Sequence, residues 1–336
     1  MSLERADFDD LAGWREDNFV HALESFKKSC AKILNENDFI GTSQMIISAN
    51  FMKAACAEAN ALPNDNTAIR MFFEANFDPY KVRDSSGSDK GTFTGYYEAE
   101  LRAELTPDCE SLVPIYGRPS DLGTTPYKTR AQIENHGLRH VAPVLFWAHS
   151  AADVHVLHIQ GSGIVKTKTG EKYRIGFAAS NNHQFSGIGS ILMRNNVKVE
   201  GGYSMVAVRK WLRENPEEAR KFMQKNDRFI FFRDIEGDGP IGAMGVPLTP
   251  GRSIAIDPEF IPYGMPMFLN ANDPDGVSLN RLVVAQDTGT AIKGAVRVDY
   301  FWGAGEDAFH KAGRMKSTGS YFILLPKDSK NFAVKR

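Results

Sequence analysis

The sequence predicts a mainly β protein with flanking helices, an α+β chain, on three observations. Apolar residues recur at a helical period through the stretch that ends at Phe77. After "SSGSDKG" the pattern changes to alternating polar and β-favouring residues. From Phe229 onward six short apolar runs follow one another, parted by glycine and proline. So many short strands within about a hundred residues argue for a closed β-barrel and against a βαβ sheet.

Taken in order, "DNFVHALESFKKSCAKILNENDF" places Phe19, Leu23, Phe26, Ile33 and Leu34 near a 3.6-residue spacing with charges between them, which predicts a helix. "TSQMIISANFMKAACAEANAL" continues the pattern, with Thr42 or Ser43 as N-cap, and "NDNTAIRMFFEANF" supplies a third helix. These helices are expected to pack and to frame a site. "TFTGYYEAELRAEL" reads as a strand. "LVPIYGRPSDLGTTPYKTRAQIENHGL" mixes short strands and turns with one helix near 129–135. Residues 144–147 and 154–159 read as two strands before a glycine turn. "SMVAVRKWLRENPEEARKFMQKN" is an amphipathic helix that breaks around Asn215-Pro216, because proline brings no N–H to the helical ladder. The six runs of the tail are "RFIFFR", "RSIAID", "MPMFL", "RLVVAQD", "AVRVDYF" and "YFILLP".

Bulk properties narrow the function classes. With 336 residues, 42% of them hydrophobic, the chain can bury the cores of two domains. A net charge of −1 gives no basic field for nucleic acid or anionic lipid. No apolar run reaches the roughly 18 to 20 residues of a spanning helix. Cys30, Cys56 and Cys109 cannot all pair and form no C-x-x-C, so each is expected to be a small buried apolar residue and neither a zinc site nor a disulfide scaffold is expected. His155 and His158 lack the H-E-x-x-H arrangement, and no metal or other cofactor is expected. "HIQGSG" lacks the spacing of a phosphate loop; it reads as a turn whose Gln160 and Ser162 donate hydrogen bonds to a polar ligand. The opening "MSLERADFDDLAGW" carries no apolar export segment. Either the chain is cytosolic, or Met1-Ser2 stands where an export signal was removed.

Three aspartates occupy comparable places in the β-rich tail. Asp257 ends "SIAID" before a proline, Asp287 ends "LVVAQD" before Thr-Gly, and Asp299 lies inside "VRVDYF". A carboxylate held at a strand end is rigid and partly desolvated, which raises its pKa toward the range of a general acid. An Asp beside Pro or Gly is also a plain turn former, and that reading covers Asp257 and Asp287. Asp299, between Val298 and Tyr300, sits where a strand disfavours Asp and so needs a local reason; Arg297 two residues away is a weak one. Tyr97 and Trp302 lie in glycine-flanked aromatic pairs where a ring can face a sugar, core packing being the alternative.

Together the stretches "FTGYYEAEL", "VPIYGRPSDL", "YKTRAQIENHGL", "HIQGSG", "GVPLTPGRSIAIDPEFIPYGMPMFL", "AQDTGTAIKGAVRVDYFWGAG" and "KSTGSYFILLP" make the chain, from about Phe93 to Pro326, resemble the membrane-bound lytic murein transglycosylase A family, whose C-terminal module is named for three aspartates. The resemblance implies a double-psi β-barrel domain with a second β-rich domain inserted in it and a glycan groove between them. Residues 1–105 would hold the helices and the first part of the barrel, 106–231 the inserted substrate-binding domain, and 232–336 the rest of the barrel. It implies cleavage of the β-1,4 bond between N-acetylmuramic acid and N-acetylglucosamine, with 1,6-anhydromuramic ends. Asp299, Asp287 and Asp257 match the three named acids, with Asp299 as acid and then base and Asp287 tuning it. Thr94, Tyr97, Gln160, Ser162 and Trp302 would bind the glycan. The expected partner is the peptidoglycan glycan strand, with cell-wall synthesis or remodelling proteins as further candidates. The expected location is the periplasm or the outer membrane. One departure is Thr290 in place of a family glycine, strained if that position requires a positive φ. Two rival classes are an inverting hydrolase of the barwin-like type, with Glu98 or Asp257 as base for water, and a non-catalytic wall-binding module of the expansin kind.

Overall fold

A computed structural model describes residues 1–237, 239–328 and 332–334. After strand β1 (Ser2–Arg5), helix α1 (Phe19–Ile33) opens on Asn18, whose side chain accepts the Val20 amide, and buries Phe19, Leu23, Phe26 and Ile33. Strands β2 (Phe39–Gly41) and β3 (Met45–Ser48) then occupy what the sequence pattern assigned to a helix. "MIIS" is β-branched at its centre and pairs on both sides, so α2 (Ala49–Ala61) starts later, with Ser48 and not Thr42 or Ser43 as its N-cap. Helix α3 (Asn66–Asn76) is capped by Asp65 and leads into β4 (Phe77–Arg83) and the long β5 (Gly91–Glu104).

Next come β6 (Val113–Tyr116), α4 (Arg130–His136) under a Thr129/Gln132 capping box, β7 (Val144–Ala148) and α5 (Ala151–Gln160). Helix α5 corrects the expected strand at 154–159. Its Val154, His155, Val156, Leu157 and His158 are all buried, so no polar face was present to reveal a helical period. Strands β8 (Ser162–Lys166) and β9 (Lys172–Ser180) precede α6 (Ile188–Arg194), α7 (Met205–Glu214) and α8 (Pro216–Met223), the last two parted at the proline as read. Then follow β10 (Ile230–Asp234), β11 (Ser253–Ala255), β12 (Pro266–Asn270), β13 (Arg281–Asp287), β14 (Arg297–Ala304), the unforeseen α9 (Glu306–Arg314), β15 (Lys316–Pro326) and β16 (Phe332–Val334).

The chain forms two compact units. The first holds Met1–Tyr96, Ile241–Gly303 and Met315–Arg336; the second holds Tyr97–Pro240 and Ala304–Arg314. The chain leaves the first unit at Tyr96, inside β5, and not near residue 105, and α9 adds a segment to the second that the sequence boundaries at 106 and 231 omit. In the first unit β5, β15, β12, β13, β11 and β14 succeed one another by hydrogen bonding, and β14 returns to β5, which closes a barrel of six strands. Five of the six runs read in the tail belong to it; the sixth, "RFIFFR", is β10 and pairs with β9 in the second unit. Glycine is required at Gly91, where an added Cβ would fall 1.6 Å from the Val296 carbonyl oxygen.

Helices α1 to α3 cover the barrel through a core that includes Phe26, Phe73, Phe77, Met267, Val284 and Ile323. Each such side chain gains about 1.5–3 kcal/mol from burial. Two buried polar ties fix the helical layer in register with the strands. Arg252 forks onto Asp17 at 2.7 and 2.8 Å, and Asp17 also accepts the Leu282 amide. Gln286, fully buried, accepts from Ser25 and Ser253 and donates to the Ser25 carbonyl and Ser29 hydroxyl, so all four of its hydrogen-bonding positions are used. Cys30 and Cys56 form a disulfide between α1 and α2, with a Cα–Cα distance of 5.5 Å, and Cys109 is exposed. This corrects the expectation of three unpaired buried cysteines: facing helices bring two thiols together over 26 residues, a pairing that no local motif announces. Thr290 is not among the described non-glycine residues with positive φ, so the expected strain is absent there.

The second unit is built on β5, β8, β9 and β10, with β7 pairing the far end of β5 and β6. One apolar cluster gathers Ile188, Leu192, Val208, Leu212 and Ala219; another gathers Tyr116, Ile133, Leu138, Phe229 and Phe231.

Candidate active site

Asp287 and Asp299 flank β11: Ala255 is in register with Asp287 of β13 on one side and with Asp299 of β14 on the other, and β5 follows β14. Thr94 Oγ1 donates to Asp299 Oδ1 at 2.5 Å, and Arg297 Nη2 donates to Thr94 Oγ1 at 2.8 Å. A guanidinium can only donate, so it occupies a lone pair of the threonine and turns the hydroxyl hydrogen toward Asp299. Oδ1 of Asp299 is thereby held as an acceptor, and Oδ2 is the oxygen left for a proton and a substrate. Burial raises the Asp299 pKa; the Thr94 bond and the Arg297 charge act against it. The residue keeps part of its surface accessible, which a substrate needs. Burial also pulls the Arg297 pKa down, with Asp299 opposing.

Asp287 ends β13 one residue after the anchored Gln286. Its Oδ1 accepts the Ala243 amide at 2.8 Å. Burial is the largest influence on it and lifts its pKa to about 6; the amides of Ala243 and Thr288 and the nearby Tyr96 hydroxyl pull downward, and the charge of Asp299 adds to the rise. The Tyr96 hydroxyl is buried against Asp287, yet it closes no hydrogen bond of ordinary geometry. Burial, and then the two carboxylates, keep this phenol protonated. Its ring packs on Phe301 at 5.1 Å. Tyr96 escaped the sequence reading, which favoured its neighbour Tyr97. The period-two alternation of β5 was the available signal, because it puts residue 96 on the face of Thr94.

Asp257 is 2% exposed and its carboxylate is taken up by donors: the Gly294 amide at 2.8 Å, the Glu259 amide at 3.2 Å and Lys293 at 3.4 Å. Trp302, half-buried, stands edge-on to Tyr300 at 4.9 Å and donates to the Met315 sulfur. Tyr97, Gln160 and Ser162 belong to the second unit. Tyr97 differs from the expected open platform: it is 3% exposed, packed on Phe309, and its amide donates to Gln160 Oε1 at 3.1 Å. The carboxamide of Gln160 therefore accepts at its oxygen and keeps its N–H groups available. Thr94, expected to bind glycan, holds Asp299. Glu98 is buried against Arg174 at 2.7 Å, where burial raises its pKa and the arginine lowers it. Two surface hollows of the second unit, of about 320 and 350 Å³, contain none of the three aspartates. Among the described residues no group of three or more His, Cys, Asp or Glu could hold a metal ion.

Comparison with known proteins covers both units. Residues 92–233 match the family model described as the MltA specific insert domain, and residues 252–325 match the 3D domain. Membrane-bound lytic murein transglycosylase A of Escherichia coli (strain K12) is 32% identical over 269 residues, spanning 77% of this chain and 72% of that protein. The crystal structure of the membrane-bound lytic murein transglycosylase from Agrobacterium tumefaciens is 30% identical with a TM-score of 0.87, over 97% of this chain and 98% of that one. The crystal structure of E. coli MltA with bound chitohexaose is 26% identical with a TM-score of 0.71, over 97% and 94%.

Proposed function

This chain belongs to the membrane-bound lytic murein transglycosylase A family and is a lytic murein transglycosylase, and we propose that Asp299 alone carries the proton transfers, as acid and then as base. The carrying observation is a carboxyl pinned at Oδ1 through Thr94 and Arg297 while Oδ2 stays unassigned. Protonated Oδ2 gives its proton to the β-1,4 glycosidic oxygen between N-acetylmuramic acid and N-acetylglucosamine, and the C1–O bond breaks. The resulting carboxylate takes the proton of the muramic C6 hydroxyl as O6 closes on C1. A 1,6-anhydro ring forms, water is not consumed, and Asp299 ends protonated. Glycosidases that place water or a nucleophile use two carboxyl groups at set separations. Here the attacking oxygen belongs to the substrate.

Asp287 assists at a distance: once ionised, its negative charge makes Asp299 hold its proton more firmly. Asp257 anchors the segment around Gly294 and takes no part in proton transfer, since its oxygens are already engaged. For a hydrolase, Glu98 or Asp257 would have to activate water; the ion pair of the one and the saturated contacts of the other speak against it. The relative that holds chitohexaose supports a β-1,4-linked N-acetylhexosamine strand as the ligand, with Trp302, Gln160 and Ser162 as candidate contacts. We infer a double-psi topology for the barrel, supported by the parallel β11·β13 pair within its closed ring. The Cys30–Cys56 bond supports an oxidising compartment on the envelope side, as the membrane-bound relatives would have. No described helix is long and apolar enough to cross a membrane.

Digestion of purified sacculi in ¹⁸O-labelled water tests the mechanism. The expected products are anhydromuropeptides without label at the new end. Labelled reducing ends as the main product would overturn the ring-closure mechanism.

A further inference from the structure

The mechanism leaves one donor unused. The Tyr96 hydroxyl is buried beside two carboxylates and has no ordinary hydrogen-bond partner, although buried polar groups in folded proteins almost always have one. We infer that Tyr96 is a positioning residue for the two acids, its hydroxyl set to donate to ionised Asp287 and so to fix the charge that faces Asp299. This inference rests on the proposed roles of those aspartates.

Three observations carry it. First, the acceptors within reach are already divided. Asp299 Oδ1 is held by Thr94, and Asp287 Oδ1 by the Ala243 amide. If Asp299 Oδ2 faces the glycosidic oxygen, the Asp287 carboxylate, which also meets the Thr288 amide but has further lone pairs, is the acceptor that Tyr96 can serve. Second, the hydroxyl keeps its proton to donate in the working pH range, because burial and the adjacent carboxylates hold it protonated. Third, the ring cannot leave: it lies on β5 against Phe301, and Phe301 lies on β14 with Asp299. A strand residue that is two places from Thr94 and on the same face thus links both acids.

The other groups that bear on Asp287 come from every element around it. Asp299 faces it from β14, and the amides of Ala243 and Thr288 face it from the flanking turns. Tyr263, in the segment between β11 and β12, lies within its field and that of Asp257. Arg297 acts on Asp299. Tyr263 is the other phenol among them, and its hydroxyl is bonded to the Thr288 side chain, so removing one oxygen atom from Tyr96 changes one relationship and leaves the ring packing in place.

The Tyr96→Phe variant, with its carboxyl carbons labelled with ¹³C, tests the inference by NMR titration of the resting protein. A hydrogen bond to the charged form lowers a pKa, so its loss must raise the Asp287 midpoint, by roughly half to one pH unit. A 3-fluorotyrosine at position 96 is a stronger donor and moves the midpoint downward. An unchanged midpoint in both variants overturns the inference, as does a midpoint moving the opposite way. Because the titration needs no turnover, its outcome is independent of whether Asp299 carries the chemistry. In the pH profile of kcat/KM, the acid limb of the Phe variant moves up with the midpoint. A residue that merely filled space would lower the rate at all pH values alike.

Discussion

Asp257 follows β11 and Asp287 ends β13, and these are parallel neighbours in one barrel, with Ala255 in register with Asp287. Both aspartates precede turn-forming residues, yet their surroundings diverge. At Asp257 two amides and a lysine meet the carboxylate. At Asp287 two amides also meet the carboxylate, but a phenol and a second carboxyl group take the place of the lysine. Asp257 is buried and Asp287 half-buried, and both carboxyl groups are largely withdrawn from water. The neighbouring charge separates a structural acid from a tuned one, because a like charge beside a desolvated carboxylate makes it hold its proton to higher pH, whereas a lysine favours the ionised form.

Replacing Asp299 with Asn tests the tuned side most severely. The amide keeps the shape and can still accept from Thr94, but it cannot give and take the proton. Loss of general acid–base action costs about 10²–10⁴-fold in rate, so turnover of sacculi is expected to fall at least a hundredfold while the thermal unfolding curve stays cooperative. A variant that keeps a tenth of the activity would move the chemistry elsewhere.

Asp287→Asn is expected to act more mildly, in two measurable ways. Without its negative neighbour Asp299 loses its proton more readily, so the alkaline limb of the rate profile moves to lower pH, by roughly one unit. Stability moves the other way. The folded pKa of about 6 lies above the ordinary 3.8, so the folded state binds the proton more tightly than the unfolded chain. The native state is therefore favoured below pH 3.8, loses that advantage as pH rises toward 6, and carries the full cost of the buried charge above it. The interval corresponds to a ceiling of about 3 kcal/mol, and denaturant titration at pH 7 should show the Asn variant to be more stable. Equal stability at pH 7 would mean that the charge is better solvated than its setting implies.

The two aspartates were not separable in the sequence, where both read as acids at strand ends. What the sequence carried was spacing: the strand runs of the barrel, the helices before it and the odd position of Asp299. It did not carry the donors. Gly294 and Lys293 reach Asp257 from 36 or more positions away, and Ala243 reaches Asp287 from 44 positions away. Thr94 lies 205 residues from the carboxylate it holds. The same holds for Arg297, which read as a weak neighbour of Asp299 and acts through that threonine. Helix α5 was misread for a different reason, since five successive buried residues erase the polar face that identifies a helix.

The mildest prediction concerns Asp257→Asn and would break the comparison if it failed. The Asn side chain keeps one carbonyl oxygen but turns an N–H toward either the Gly294 or the Glu259 amide, so one buried donor loses its acceptor. That costs about 1–3 kcal/mol. The Lys293 contact adds little to the loss, because its side chain is 65% exposed and water screens the pair. Nothing that faces Asp299 changes, so kcat should remain within a factor of about three and the pH profile should keep both limbs in place. The expected result is lower stability with preserved chemistry, the reverse of Asp287→Asn. A rate loss approaching that of Asp299→Asn, with stability intact, would instead make Asp257 a working acid and erase the distinction between the two strand ends.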